Sequence, residues 1–158
     1  MKLKILLPIL TFFAAYIGAL ANGMGDSNWY DALEKPFFNP PTYIFGIVWP
    51  VLYIFMAVVS YLNAKIIFYI FISQLILNSL WGWLFFVFEN PVLSLLDILI
   101  LVGLNIYLLD ILFKKEKWFS FILYLPYVLW ICFALMLNLM IVILLSLIHI
   151  SEPTRPLY

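Results

Sequence analysis

The chain has 158 residues, 67% of them apolar and 10% charged, with a formal net charge of zero and a mean hydropathy of +1.14. Soluble domains carry about a quarter charged and roughly half apolar residues, so these few charges cannot build a water-facing surface over so large a core. That argues against a soluble enzyme or a disordered chain. The absence of a basic field argues against a nucleic-acid partner. A lone cysteine, Cys132, leaves no intrachain disulfide framework and no CxxC redox or metal site. The composition is that of an integral membrane protein.

Charge spacing sets the elements. Residues 5–25, 36–64 and 66–88 are uncharged, 90–113 hold only Asp97 and Asp110, and 118–151 hold no charge at all. A bilayer span needs ~20 predominantly apolar helical residues, so each run accommodates one. The spacing predicts an all-α membrane bundle of five transmembrane helices, over 4–22, 42–62, 65–88, 92–113 and 118–146. The first is too apolar, and lacks the cleavage site, for a removed signal peptide. Pro126 stands alone within the last and is read as a tolerated kink. With five spans, Lys2, Lys4, Lys65, Lys114, Lys115 and Lys117 fall on one face and Lys35 on the other. The basic face is expected to be cytoplasmic, with the amino terminus inside and the carboxyl terminus outside.

The loop over 23–41 is the least lipid-like stretch. Asn22, Gly23 and Gly25 are expected to end the first helix through left-handed or flexible positions. Ser27 or Asn28 is the expected cap of a short helix carrying Trp29, Tyr30, Leu33 and Glu34, closed by Lys35-Pro36. Its apolar face suits either a lid over the bundle mouth or an anchor in the membrane interface.

Within the spans, polar and aromatic residues share faces. Trp49 and Tyr53 lie four apart; Gln74, Asn78, Trp81 and Phe85 follow an i, i+4, i+7, i+11 pattern; Trp130, Ala134 and Asn138 are spaced by four. Asp97 and Asn105 lie eight apart on one side of the fourth helix. Polar groups at such depth belong on the inside. Converging inward, these stripes would line a cavity for a flat, largely apolar ligand. The plainer reading is interhelical glue for the amides and belt anchoring for the aromatics; Trp83, Tyr107, Trp118 and Tyr124 are assigned to belt or packing. Ordinary catalytic sets and metal-ligand clusters are missing from the sequence.

WYDALEKPFFNPP followed by FGIVWPVLY, then Asn78, Trp81, Phe85-Phe86 and Asp97, and finally Pro126-Tyr127, Trp130, Phe133-Ala134 and Asn138 together resemble the signature of the TspO/translocator protein family. Its members are also called tryptophan-rich sensory proteins or peripheral benzodiazepine receptors. Tyr43 stands where the family usually has Trp. The resemblance implies a five-helix bundle that binds porphyrins such as protoporphyrin IX and haem, and related hydrophobic ligands including sterols and synthetic benzodiazepine-type compounds. The pocket positions it carries over are Tyr30, Pro40, Phe45, Trp49, Tyr53, Asn78, Trp81, Trp130, Ala134 and Asn138, with Asp97 and Asn105 as polar support.

The same resemblance implies light-dependent porphyrin degradation with Trp49 and Trp130 as the oxidisable indoles; carriage of porphyrin or lipid, and stress sensing through a partner, are the alternatives. No obligatory cofactor and no metal are expected; the porphyrin is ligand or substrate. A homodimer is also implied, with Ser73, Ser79 and Gly82 as a face for close approach. Sterol binding is not expected, because 135–144, LMLNLMIVIL, lacks the tyrosine and basic residue of the proposed animal motif. A bacterial inner membrane is the expected location.

Residues 145–155, LSLIHISEPTR, look like the in-frame translation of a transposase-type sequencing adapter. The biological domain is expected to be 1–144, with 145–158 a non-native tail, so His149 and Arg155 receive no role.

Overall fold

The structure is a computed structural model that describes residues 2–151, with side chains up to Leu147. Of the expected tail, 152–158, with Arg155, and the side chain of His149 lie outside the described residues. Helix α1 spans Lys2–Met24, α2 Ser27–Ala32, α3 Thr42–Gly82, α4 Pro91–Lys114 and α5 Trp118–Ser151; a π-helical turn, Trp83–Val87, follows α3 directly. All regular structure among the described residues is helical. Four stretches are long and apolar enough to cross a membrane: Lys2–Met24, Thr42–Val87, Pro91–Lys114 and Trp118–Leu147.

The second of these differs from the two separate helices expected over 42–62 and 65–88. It is assigned as one helix, in which only Asn63 departs from helical geometry, at φ −118° and ψ 15°. Yet it does not run straight. The Tyr53 hydroxyl donates to Asn78 Oδ1, and 25 positions of straight helix would hold those residues ~37 Å apart. The chain therefore doubles back at Asn63, giving antiparallel arms 42–62 and 64–82. Asn63 stabilises the reversal itself: its Nδ2 donates to Val59 O at 3.0 Å and to Ser120 Oγ at 2.7 Å. One amide thus satisfies a carbonyl at the break and pins the turn to the start of α5.

Three other local expectations are corrected. The short helix is capped by Asp26, whose Oδ1 accepts from Asn28 N at 2.8 Å, and it ends at Ala32, before Lys35-Pro36 is reached. Helix α1 ends without any left-handed glycine, since the described glycines all have negative φ. Gly25 is instead a point of close approach: a Cβ there would lie 2.7 Å from Phe86 O and 2.8 Å from Phe86 Cβ. Finally, Ser79 and Gly82 do not face outward. Ser79 Oγ donates to Ala14 O at 3.2 Å, and a Gly82 Cβ would meet Ala21 Cβ at 3.4 Å. The small residues expected to receive a second copy are occupied by α1; Ser73 alone is exposed, bonded to Tyr69 O at 3.0 Å.

Contacts sort the connections into two ends. At one, Lys4 Nζ lies 5.8 Å from the Tyr61 ring, and Asn63 meets Ser120. At the other, Gly25 abuts Phe86, and Phe38 meets Phe133. Six lysines (2, 4, 65, 114, 115, 117) face Asp110 and Glu116 at the first end, while Lys35 faces Asp26, Asp31, Glu34 and Glu89 at the second. Two non-glycine residues adopt left-handed geometry, Glu89 at φ 50° and Glu116 at φ 54°, each at a reversal flanking α4. Asn90 then caps α4, accepting from Leu93 N at 3.0 Å, with Pro91 in its first turn. Between the ends, Met56, Ile67, Phe71, Leu108 and Leu112 form the buried centre, and Ile9, Phe12, Ile76 and Leu129 are among many apolar side chains turned outward. An apolar outer surface over an apolar core is what a lipid environment requires.

Candidate functional site

The loop between α1 and α3 packs inward. Trp29 meets Phe85 at 5.6 Å between ring centroids, and Tyr30 meets Phe85 at 6.3 Å and Phe86 at 5.7 Å. Lys35 Nζ sits 4.3 Å from the centroid of the Tyr30 ring, and burial pushes the Tyr30 phenol up from its ordinary value. Both phenylalanines belong to the π-helical turn, whose wider winding bonds Phe88 N to Trp83 O at 2.9 Å. Such turns recur at functional sites. This one presents Phe85 to the loop and Trp81 at once, the latter stacked at 5.4 Å and 19°. A π-helical turn has no simple residue signature, and the hydrophobic pattern gave no sign of it.

Below this cover the predicted stripes do converge, and they bond mainly to one another. Asn78 accepts from Tyr53 and donates through Nδ2 to the Tyr127 hydroxyl at 3.0 Å; Tyr127 donates in turn to Gln74 Oε1 at 2.8 Å. Asn138 Oδ1 accepts from Trp81 Nε1 at 3.1 Å and Ser94 Oγ at 3.0 Å, while its Nδ2 donates to Pro91 O at 2.9 Å. Asn138 thereby joins α5, α4 and the end of α3. Asn105 accepts from the Tyr124 hydroxyl at 2.6 Å and donates to Leu101 O at 2.8 Å. Tyr124 is fully buried, so it is a packing residue and not a belt anchor. Asp97 is buried as expected, and its Oδ2 finds no partner among the described residues; nor does Gln74 Nε2. Sequence reading did not place Tyr127 and Ser94 in the pocket set, because spacing shows which face a residue shares but not which neighbour it meets.

The remaining predicted residues gather between the 42–62 arm and α5, next to Tyr53. Phe45 and Trp130 meet edge to face at 5.7 Å, Trp130 and Phe133 lie 5.7 Å apart, and Trp49 leans on Tyr53 at 5.6 Å. Pro40 lies in the strand-like lead to α3, half-buried, its carbonyl accepting from Asn39 Nδ2 at 3.3 Å. Ala134 is buried one turn from Trp130. Here the chain leaves a groove of about 550 Å³ between the 42–62 arm and α5, lined by Val48, Leu52, Pro126, Leu129, Trp130 and Phe133. The groove is shallow and open along its outer side, where Leu129 is exposed. Trp130 Nε1, buried at this groove, has no acceptor among the described residues. Buried donors are nearly always paired, so this N–H is an exception: the nitrogen is shielded inside the fold while the Trp130 side chain lines the groove.

A multi-pass helical membrane protein with an aromatic-rich site under a packed loop is the class that fold and site define. The model of the TspO/MBR family matches residues 5–144. The chain is 35% identical over 150 residues to "Tryptophan-rich protein TspO" of Archaeoglobus fulgidus, covering 90% of this chain and 97% of that one. It is 32% identical to "Protein CrtK" of Rhodobacter capsulatus, over 82% and 89% of the two chains, and 30% identical to "Translocator protein" of Bos taurus, over 82% of each. The chain belongs to the TspO/MBR family.

Proposed function

We propose that this protein spans the membrane five times and binds a porphyrin, with protoporphyrin IX as the probe ligand, in the groove beside Trp130. The carrying observation is the aromatic cluster at an apolar groove, with Trp130 and Phe133 in its lining and Phe45 edge to face on the same indole. Flat macrocycles take their affinity from stacking and apolar burial. Each arm of α3 is taken as one span, since 42–62 at 1.5 Å per residue reaches ~30 Å, the thickness of the hydrocarbon core. The six-lysine end is placed in the cytoplasm of a bacterial cell, with the loop over 25–41 outside.

Trp49 and Trp130 are the indoles available for light-driven oxidation of a bound porphyrin, with dioxygen as oxidant. The test is titration of protoporphyrin IX into the chain in lipid nanodiscs, following tryptophan fluorescence and the porphyrin spectrum in darkness and then in light. Saturable single-site quenching, weakened about tenfold in Trp130→Phe by loss of ~1.4 kcal/mol, supports the reading. Quenching that rises without saturation and ignores the substitution overturns it. A light-dependent product that disappears when both indoles are replaced assigns degradation; a stable spectrum assigns carriage or sensing.

A further inference from the structure

A second depression lies on the same flank of the molecule but toward the lysine-rich end. It holds about 300 Å³ between the 42–62 arm and α5 and is lined by Phe55, Phe119, Ile122, Leu123 and Pro126. Pro126 also lines the groove at Trp130, so the two shallow depressions adjoin at that residue and together run as an open surface channel along α5. From Phe119 to Phe133 that channel is ~21 Å long, compared with ~15 Å for the acyl region of one leaflet of a ~30 Å core.

What lies at its mouth decides the occupant. Ser120 is hydrogen-bonded to Asn63 at 2.7 Å, which brings the α3 reversal against the first turn of α5. Lys65, two residues beyond the reversal, and Lys117, three residues before Ser120, are both exposed and have no carboxylate partner among the described residues. Lys114, by contrast, is paired with Asp110 at 2.7 Å. Trp118, half exposed, packs edge to face on Phe113 at 4.9 Å beside them, as indoles do at headgroup depth. A cleft apolar along its length, with two unneutralised cations at the end where α3 reverses against α5, complements a phospholipid with a net negative headgroup. Basic pockets between membrane helices bind such headgroups, and each lysine contributes to the attraction.

We propose that the mouth and lower channel between the 42–62 arm and α5 form a binding site for an anionic phospholipid. The headgroup phosphate lies between Lys65 and Lys117, and one acyl chain lies over Phe119, Ile122 and Pro126. The site rests on the membrane-spanning fold and not on the porphyrin reading, so either can fail without the other.

The test purifies the chain in mild detergent and exposes it to an equimolar mixture of phosphatidylglycerol and phosphatidylcholine with matched chains. Lipid retained on the protein is then counted by native mass spectrometry. The wild type should retain phosphatidylglycerol preferentially, with one copy held most strongly. Lys65→Gln and Lys117→Gln should each lower that preference roughly fivefold. Ile122→Trp, at an exposed position that needs no repacking, should expel the lipid while leaving helix content and melting unchanged. The control is Lys2→Gln with Lys4→Gln, which removes two cations from the same end of the bundle but from α1, which lines neither depression. If that pair lowers the preference as much as the groove lysines do, or if phosphatidylcholine is retained equally well, the site does not exist.

Discussion

Trp81 and Trp130 are both half-buried indoles on inward stripes, yet Trp81 Nε1 donates to Asn138 at 3.1 Å whereas Trp130 Nε1 is buried with no acceptor among the described residues. The first belongs to a polar interior made of two bonded groups, Tyr53, Asn78, Tyr127 and Gln74 in one and Trp81, Ser94 and Asn138 in the other, across three long helices. The second belongs to an apolar groove. The comparison separates two jobs that the same residue types perform. Within a bilayer an amide whose valences are all met by neighbours holds helices together. Asn78 and Asn138 each bond across helices through both amide atoms, and the ligand proposed above is sought at Phe45, Trp130 and Phe133.

If the interior is glue, cutting it should cost stability before it costs binding. The largest effect is expected at Asn138→Ala. It breaks all three bonds of the Asn138 side chain and leaves the Trp81 N–H without an acceptor, while the Ser94 hydroxyl and the Pro91 carbonyl keep each other at 3.0 Å. At about 1 kcal/mol for each broken membrane hydrogen bond, the loss is ~2–4 kcal/mol. It should appear as a clear fall in the thermal midpoint of the detergent-solubilised chain. An unchanged midpoint combined with lost porphyrin binding would move Asn138 to the ligand side and break the comparison.

Gly25→Ala should come next, through a different physical route. The new methyl meets the Phe86 backbone, which cannot swing away as a side-chain end can, and overpacking of this kind costs ~1–3 kcal/mol. The strain falls where the loop is fastened to the π-helical turn. Trp29 should therefore lose its contact with Phe85, and the segment 26–41 should be nicked faster in limited proteolysis. Cleavage at the wild-type rate would show that the loop is held elsewhere and is not a cover.

What could be read in advance follows from what periodicity encodes. The spacing of Gln74, Asn78, Trp81 and Phe85 gave one face correctly, and charge-free runs gave the membrane segments to within a few residues. The pairing of Asn78 with Tyr127 and the packing of Ser79 and Gly82 against α1 were not legible. Each depends on which element sits opposite, and a spacing within one helix is silent about that. The reversal at Asn63 was expected to need a two-residue gap. It needs one residue because the asparagine side chain supplies the bond that the backbone gives up.

Tyr127→Phe tests the interior more finely. It removes only the hydroxyl that accepts from Asn78 and donates to Gln74, while keeping the fully buried ring. Two interhelical bonds go, one at Asn78 Nδ2 and one at Gln74 Oε1, while Asn78 Oδ1 keeps its bond from Tyr53; at the usual value per bond in a membrane the expected loss is ~1–2 kcal/mol. Chemical unfolding in mixed micelles would resolve it.

The smallest stability effect is the most discriminating. Trp81→Phe and Trp130→Phe delete the same atoms from half-buried positions, but only the first deletes a bond. Trp81→Phe should therefore be the less stable of the two by about 1 kcal/mol. In Trp130→Phe the removed N–H was already unpaired, so losing it relieves a desolvated donor and offsets part of the lost contact with Phe45 and Phe133. Unfolding of the two variants side by side, without ligand, reads that difference directly. Added protoporphyrin IX should then raise the unfolding midpoint of wild type and Trp81→Phe by mass action, and raise that of Trp130→Phe much less. Equal shifts in all three would return Trp130 to the packing residues and place the ligand away from the groove.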